Sequence, residues 1–202
     1  MGYTAVPMVR PRQFDADEVE ATLLDVFWSR GYAHTSIDAL AEATGLLRGS
    51  LYAAYPGKEA MFRAAARRYV VQLTAALASD RRGLDGVRHV LDTLVRLTAR
   101  DAKRRGCLLL NTIPEAHALS ADTRREMQAA LDSMQALLRA RVGEAQADAG
   151  TSRDLEPLVA VLFAAVVAIR VLGRAGHERR LLRHIAAGAL GTAERWFDHG
   201  KE

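Results

Sequence analysis

The sequence predicts an all-α protein in which three short helices precede a larger helical body, with about nine helices in all. Three observations carry this. Good helix formers dominate, with Ala and Leu abundant. The five prolines are confined to positions 7, 11, 56, 114 and 157. No run of β-branched residues alternates with polar ones, as a half-buried strand would require.

Residues 1–13 carry Pro7, Pro11, Arg10 and Arg12 without periodicity and read as a flexible basic arm. Asp15 and Asp17 then place negative charge where a helix starts. Val19, Leu23, Val26 and Phe27 follow at helical spacing, and Gly31 stands where a C-cap glycine would. Thr35 or Ser36 caps a short second helix whose inner edge is Ile37, Leu40 and Ala41. Gly45 closes it. Residues 46–55 form a third short helix that turns Leu51 and Tyr55 inward, and Pro56-Gly57 breaks the chain.

Lys58 opens a long helix with Met61, Phe62, Ala65, Tyr69, Leu73 and Leu77 on one stripe. Gly83 and Gly86 punctuate the next start, and the stripe Val87, Val90, Leu91, Leu94, Leu97 runs to about Arg104. The stretch from Gly106 to His117 contains Pro114 and reads as a short or broken helix. Met127, Leu131, Met134, Leu138 and Val142 mark another helix, followed by a polar connection near 148–152. Leu155 to Leu172 is apolar nearly all round, which implies burial on both sides. The last helix spans about Glu178 to Asp198.

Half of the 202 residues are apolar, enough for a sizeable core. The formal charge of +4 permits an anionic partner without identifying one. Up to Tyr69, eight basic residues are balanced by eight acids, so a DNA-binding surface would need charge segregated onto one face. Cys107 is the single cysteine, which excludes an internal disulfide. The N-terminus lacks an apolar signal-peptide core, and Leu158–Leu172 is short for a bilayer span, so a cytoplasmic protein without membrane attachment is expected. The six histidines show no metal-ligand spacing, and neither a metal nor a cofactor is expected.

Short helices at 37–44 and 46–55, joined through Gly45, have the layout of a helix-turn-helix, whose second helix enters the major groove while the first braces it. The outer side of the second helix offers Arg48, Ser50, Tyr52 and Ala53, and Lys58 stands at the head of the next helix, where a phosphate could meet it. Two short helices around a glycine turn are common in helical proteins and do not by themselves establish DNA binding.

More specific is the string Phe27-Trp28-Ser29-Arg30-Gly31-Tyr32, then Thr35-Ser36-Ile37, Leu40-Ala41, Gly45, Arg48-Gly49-Ser50-Leu51-Tyr52-Ala53-Ala54-Tyr55 and Lys58-Glu59-Ala60-Met61-Phe62. It resembles the TetR/AcrR family of transcriptional regulators, densely across about residues 10–62. The resemblance implies a DNA-binding domain at 14–60 and a ligand-binding and dimerisation domain at 61–202. It implies phosphate contacts from Thr35 or Ser36, Tyr52 and Lys58, base or phosphate contacts from Arg48, Ser50 and Ala53, and minor-groove or backbone contacts from Arg10 and Arg12. Two positions depart from the family pattern. Leu47 stands where a Ser or Thr cap is frequent. Ala53 replaces a larger side chain but can touch a thymine methyl.

The resemblance further implies that the last two long helices pair across a two-fold axis, so Leu158, Leu162, Phe163, Val166, Ile185 and Leu190 are expected at a homodimer interface. Burial inside one chain's own core is the competing reading of the same periodicity. A dimer would meet palindromic half-sites one DNA turn apart, roughly 34 Å.

Gly106-Cys107-Leu108 resembles a branch of the family in which a cysteine senses electrophiles or oxidants, a role that needs a partly exposed thiolate. A small buried hydrophobe is the other reading of Cys107. Asn111 is either a ligand contact or the donor of a helix-capping or core hydrogen bond. The expected function is a repressor released from its operator by a small-molecule effector. The alternatives are the same scaffold sensing through Cys107, and a helical thiol enzyme with His117 as base. The first of these classes, not an enzyme, is the expectation.

Overall fold

The computed structural model describes residues 15–198. The expected N-terminal arm, with Arg10 and Arg12, lies outside the described residues. Among the described residues there are nine α-helices, one 3-10 turn and no strand.

Helix α1 (Ala16–Arg30) begins at Asp15, whose carboxylate accepts the Asp17 amide at 2.9 Å. It stops at Gly31, whose φ of 84° suits glycine and whose N–H donates to the Phe27 carbonyl at 2.8 Å. Helices α2 (Ile37–Thr44), α3 (Arg48–Ala54) and α4 (Lys58–Leu77) follow. Leu23, Phe27, Leu40, Leu51 and Phe62 are fully buried where these four meet. Phe62 packs edge-on against Phe27 at 5.3 Å and against Tyr32 at 5.2 Å between ring centroids. Each such side chain stabilises the head by about 1.5–3 kcal/mol on leaving water.

Helix α5 (Gly83–Arg100) ends four residues short of the expected Arg104. The chain instead turns through Arg104 at φ 49° and Gly106 at φ 70°, and the Asp101 carboxylate takes the Arg105 amide at 2.7 Å. The break expected around Pro114 is a five-residue helix α6 (Leu108–Thr112) running into the 3-10 turn Ile113–Ala118. Helix α7 (Ala121–Ala149) starts before its first apolar marker because the Ser120 hydroxyl accepts the Thr123 amide at 3.2 Å. Helices α8 (Glu156–Arg174) and α9 (Arg179–Asp198) complete the chain.

A second core lies among α5, α7, α8 and α9, around Val87, Leu94, Leu138, Leu162 and Ile169. Gly173 sets the crossing of α8 over α5, since a Cβ there would overlap Thr98 Cγ2. By length and composition α8 is apolar enough to cross a membrane, yet it packs against α5, α7 and α9.

The expected interface set needs correction. Leu158, Leu162, Val166 and Leu190 are at most 5% exposed and belong to the core of the single chain. Phe163 and Ile185 are half-buried against that same core. The cause is that α8 has three neighbouring helices, so its large side chains turn inward. What it turns outward is a row of smaller ones: Ala160, Val161, Ala164 and Val171.

Candidate nucleic-acid interface and effector cavity

The turn between α2 and α3 is built from three local devices. The Ser36 hydroxyl caps α2 by accepting the Ala39 amide at 3.1 Å. Gly45 takes the left-handed conformation at φ 67° that ends it. Leu51 then anchors α3 by its complete burial. With that side fixed, Leu47, Arg48, Gly49, Tyr52 and Ala53 are exposed, and Ser50 is partly so. Tyr52 is 52% exposed and Leu47 80%. As the sequence suggested, Leu47 supplies no side-chain cap to α3. Nothing lies within 4 Å of a Cβ built on Gly49, so this helix surface is open to close approach.

Thr35 must be withdrawn from the expected contact set. Its side chain is buried, and its hydroxyl donates to the Gly31 carbonyl at 2.6 Å. Ser36 remains at the surface. The guanidinium of Arg48 pairs with Asp38 on α2, a partner the sequence reading missed although the two opposite charges stand on either side of Gly45. Lys58 lies at the first position of α4 with its Nζ 4.3 Å from the centre of the Tyr32 ring. Partial burial pulls the Lys58 pKa below its ordinary value, against the opposing attraction of Glu115.

The head is tied to the rest of the chain by groups that sequence patterns do not reveal. Glu115, on the 3-10 turn, accepts the amides of Tyr32 at 2.6 Å and Ala33 at 3.1 Å. Asp25 on α1 pairs with Lys103 and with Arg105, each at 2.8 Å. The Arg105 guanidinium lies over the Trp28 ring at 4.1 Å. On α4, Glu59 accepts the Ser120 amide at 2.9 Å, and Arg63 pairs with Glu126 of α7.

Between head and body lies a cavity of about 250 Å3 with Trp28, Tyr69, Leu73, Leu97 and Arg170 in its walls. A narrow space of about 30 Å3 adjoins it through Leu73 and Arg170, and Cys107 lines that space. Beyond it, sharing Leu73, Leu109, Ala130 and Met134, a groove of about 340 Å3 opens between α4 and α7. Cys107 itself is buried, 6% exposed, beside Tyr69, whose hydroxyl burial and the neighbouring thiol hold well above the usual phenol range. Asn111 donates to the Arg105 carbonyl at 2.6 Å and is absent from these three walls. Its side chain thus makes the hydrogen bond of the alternative reading, tying α6 to the loop before it.

Arg170 was the most legible of the missed residues. It interrupts the apolar run from Leu158 to Leu172, and it reads from sequence as the end of that run. It is instead 5% exposed inside the helix, donating to Thr98 Oγ1 at 2.8 Å, to the Tyr69 hydroxyl at 3.1 Å and to the Gly106 carbonyl.

A solvent-facing second helix of a helix-turn-helix, carried on a larger helical body, is the arrangement of a DNA-binding transcriptional regulator. Residues 21–65 match the family described as bacterial regulatory proteins, tetR family, and residues 83–185 match the tetracyclin repressor-like C-terminal domain. The chain belongs to the TetR family. Over 66 residues it is 41% identical to the HTH-type transcriptional repressor ComR of Escherichia coli (strain K12), a match that spans 33% of this chain and 31% of that protein. A cysteine variant of the TetR family regulator CifR, solved with 26-bp double-strand operator DNA, is 31% identical. Its fold agrees at a TM-score of 0.78, over 90% of this chain and 98% of that one. A TetR regulator from Chloroflexus aurantiacus J-10-FL shares the fold at a TM-score of 0.75 and 24% identity, covering 87% of this chain and 91% of that one.

Proposed function

We propose that the protein is a cytoplasmic homodimeric repressor that holds a palindromic operator and releases it when a small molecule enters the junction cavity. Residues 14–60 would read the DNA, and residues 61–202 would bind the effector and the second protomer. The observation that carries the reading is the surface of α3, where Arg48, Tyr52 and Ala53 stand exposed around the buried anchor Leu51, with Lys58 at the head of the next helix. The operator complex of the similar CifR and the repressor role of ComR support it. The effector acts by population shift, favouring a separation of the two α3 helices that no longer matches the half-sites.

Dimerisation would use the outward row of α8, with Val161 and Val171 at 45% and 50% exposure, together with Leu181 of α9 at 37%. The thiol-enzyme reading loses support because Cys107 is buried while His117 is exposed.

Selection of bound fragments from the source genome tests the proposal. The expected result is enrichment of fragments with a shared palindrome, bound at least tenfold more weakly by Tyr52→Ala. Absence of any enriched fragment, or equal binding by Tyr52→Ala, would overturn it.

A further inference from the structure

From the surroundings of Arg170 we infer that the junction cavity takes an organic monoanion, a carboxylate on a compact apolar body, with its charge against the Arg170 guanidinium. The inference rests on the regulator reading only for what binding then does to DNA affinity.

Arg170 is an almost fully buried cation whose partners are a threonine hydroxyl, a tyrosine hydroxyl and a backbone carbonyl. Among the described residues no carboxylate pairs with it. Neutral acceptors satisfy N–H groups but do not balance a charge taken out of water, and such a charge is costly to keep. Burial keeps the Tyr69 hydroxyl protonated, so this neighbour supplies no negative charge either. These bonds use three of the five N–H donors of the fork.

Four charged side chains line the cavity: Arg100, Arg105, Arg170 and Asp101. Asp101 is taken by Arg105 at 3.1 Å, and Arg105 is shared with Asp25. Arg170 in the depth and Arg100 at the exposed rim are thus left facing an open space. The indole N–H of Trp28, whose ring forms another wall, is buried without a partner among the described residues. The rest of the wall includes Leu73, Ala76 and Leu97, which suits hydrocarbon and disfavours a strongly hydrated ion such as inorganic phosphate. The Nε–H and one Nη1–H remain, and either would give a carboxylate a charge-assisted hydrogen bond.

The test titrates the full chain calorimetrically with hexanoate, octanoate, decanoate, benzoate and naphthoate, and in parallel with the alcohols of matching skeleton. Trp28 emission is followed in a Trp196→Phe background. The expected result is that at least one acid binds about tenfold or more tighter than its alcohol and changes Trp28 emission. Arg170→Gln should erase the acid preference, and Ala76→Phe, which fills the cavity and leaves Arg170 in place, should abolish binding of both. Equal binding of acid and alcohol, no binding by any acid at millimolar concentration, or an unchanged preference in Arg170→Gln would overturn the inference. Should Arg170→Gln fail to fold, the acid–alcohol ratio on the unmodified chain and the Ala76→Phe result decide it. Operator binding is measured on the same preparations. Loss of the regulator reading shows as no DNA binding with carboxylate binding intact, whereas failure of this inference shows as the reverse.

Discussion

The carboxylate of Glu115 lies 2.6 Å from the backbone amide of Tyr32, across the boundary between the larger helical body and the helix-turn-helix head. A second bond, to the Ala33 amide, makes this a two-point grip on the turn between α1 and α2. Gly31 makes room for it, since a Cβ there would come within 2.5 Å of Glu115 Oε1.

Glu115→Gln should therefore weaken the attachment of the head. Hydrogen bonds to a charged acceptor contribute about 1.5–3 kcal/mol each when the partner is lost, and Gln keeps one acceptor, so the lower end is expected. For a chain of this size that corresponds to a Tm lower by roughly 5 °C in a thermal melt. An unchanged Tm together with unchanged hydrogen exchange at Tyr32 and Ala33 would show the grip to be inert.

At the α5–α8 crossing, Gly173→Ala should cost about 1–3 kcal/mol by overpacking, because the new methyl overlaps Thr98 Cγ2. Thr98→Ser deletes that methyl and keeps the hydroxyl that Arg170 uses. The double variant should regain most of the loss in urea unfolding. A double variant no more stable than Gly173→Ala alone would place the clash elsewhere.

How much of this could be read from the chain follows the range of each interaction. The helix-turn-helix, the Gly31 and Gly45 stops, the missing cap at Leu47 and the break at Pro114 are local, written within a few residues, and they agree with the structure. Glu115 meets Tyr32 from 83 positions away, and Arg170 meets Tyr69 from 101. No periodicity encodes such pairs. Leu158, Leu162, Val166 and Leu190 turned out to be core residues for a related reason: an all-round apolar helix does not say which side meets its own chain. Thr35 and Ser36 were equivalent as caps until the Gly31 carbonyl claimed one hydroxyl.

Acid should loosen the seam between α4 and α7. Hydrogen bonds from Ser120 and Thr123 hold the Glu59 pKa below its ordinary 4.5, and the Arg63 guanidinium does the same for Glu126. A depressed folded-state pKa contributes stability that is fully present above the unfolded value and lost as pH falls through the folded one. Stability should thus decline with decreasing pH from about 4.5 downward, and Glu126→Gln should flatten that decline while lowering stability at neutral pH. Denaturant midpoints taken across the acid range measure it, and parallel curves for the two proteins would refute the assignment.

Lys58→Ala should weaken operator binding to a similar degree on every sequence tested, and should reduce the slope of log affinity against log salt by about one per bound protomer. A loss confined to particular bases would indicate a base contact instead.

If the proposed dimer forms, the unmodified chain should sediment as a dimer, and Val171→Arg, on the outward row of α8, should give a folded monomer with lower operator affinity. A dimer that survives this substitution would direct the search to another face.

Asp25, held by Lys103 and Arg105, and the Tyr32–Ala33 turn, held by Glu115, are polar grips on a head whose apolar core also takes in Leu108, Leu109 and Leu119. A head clamped at several points and sharing its core with the chain beyond it has little room to yield piece by piece. A molecule wedged beside Trp28 would then tilt the head as one unit, changing the aim of α3 without altering its shape.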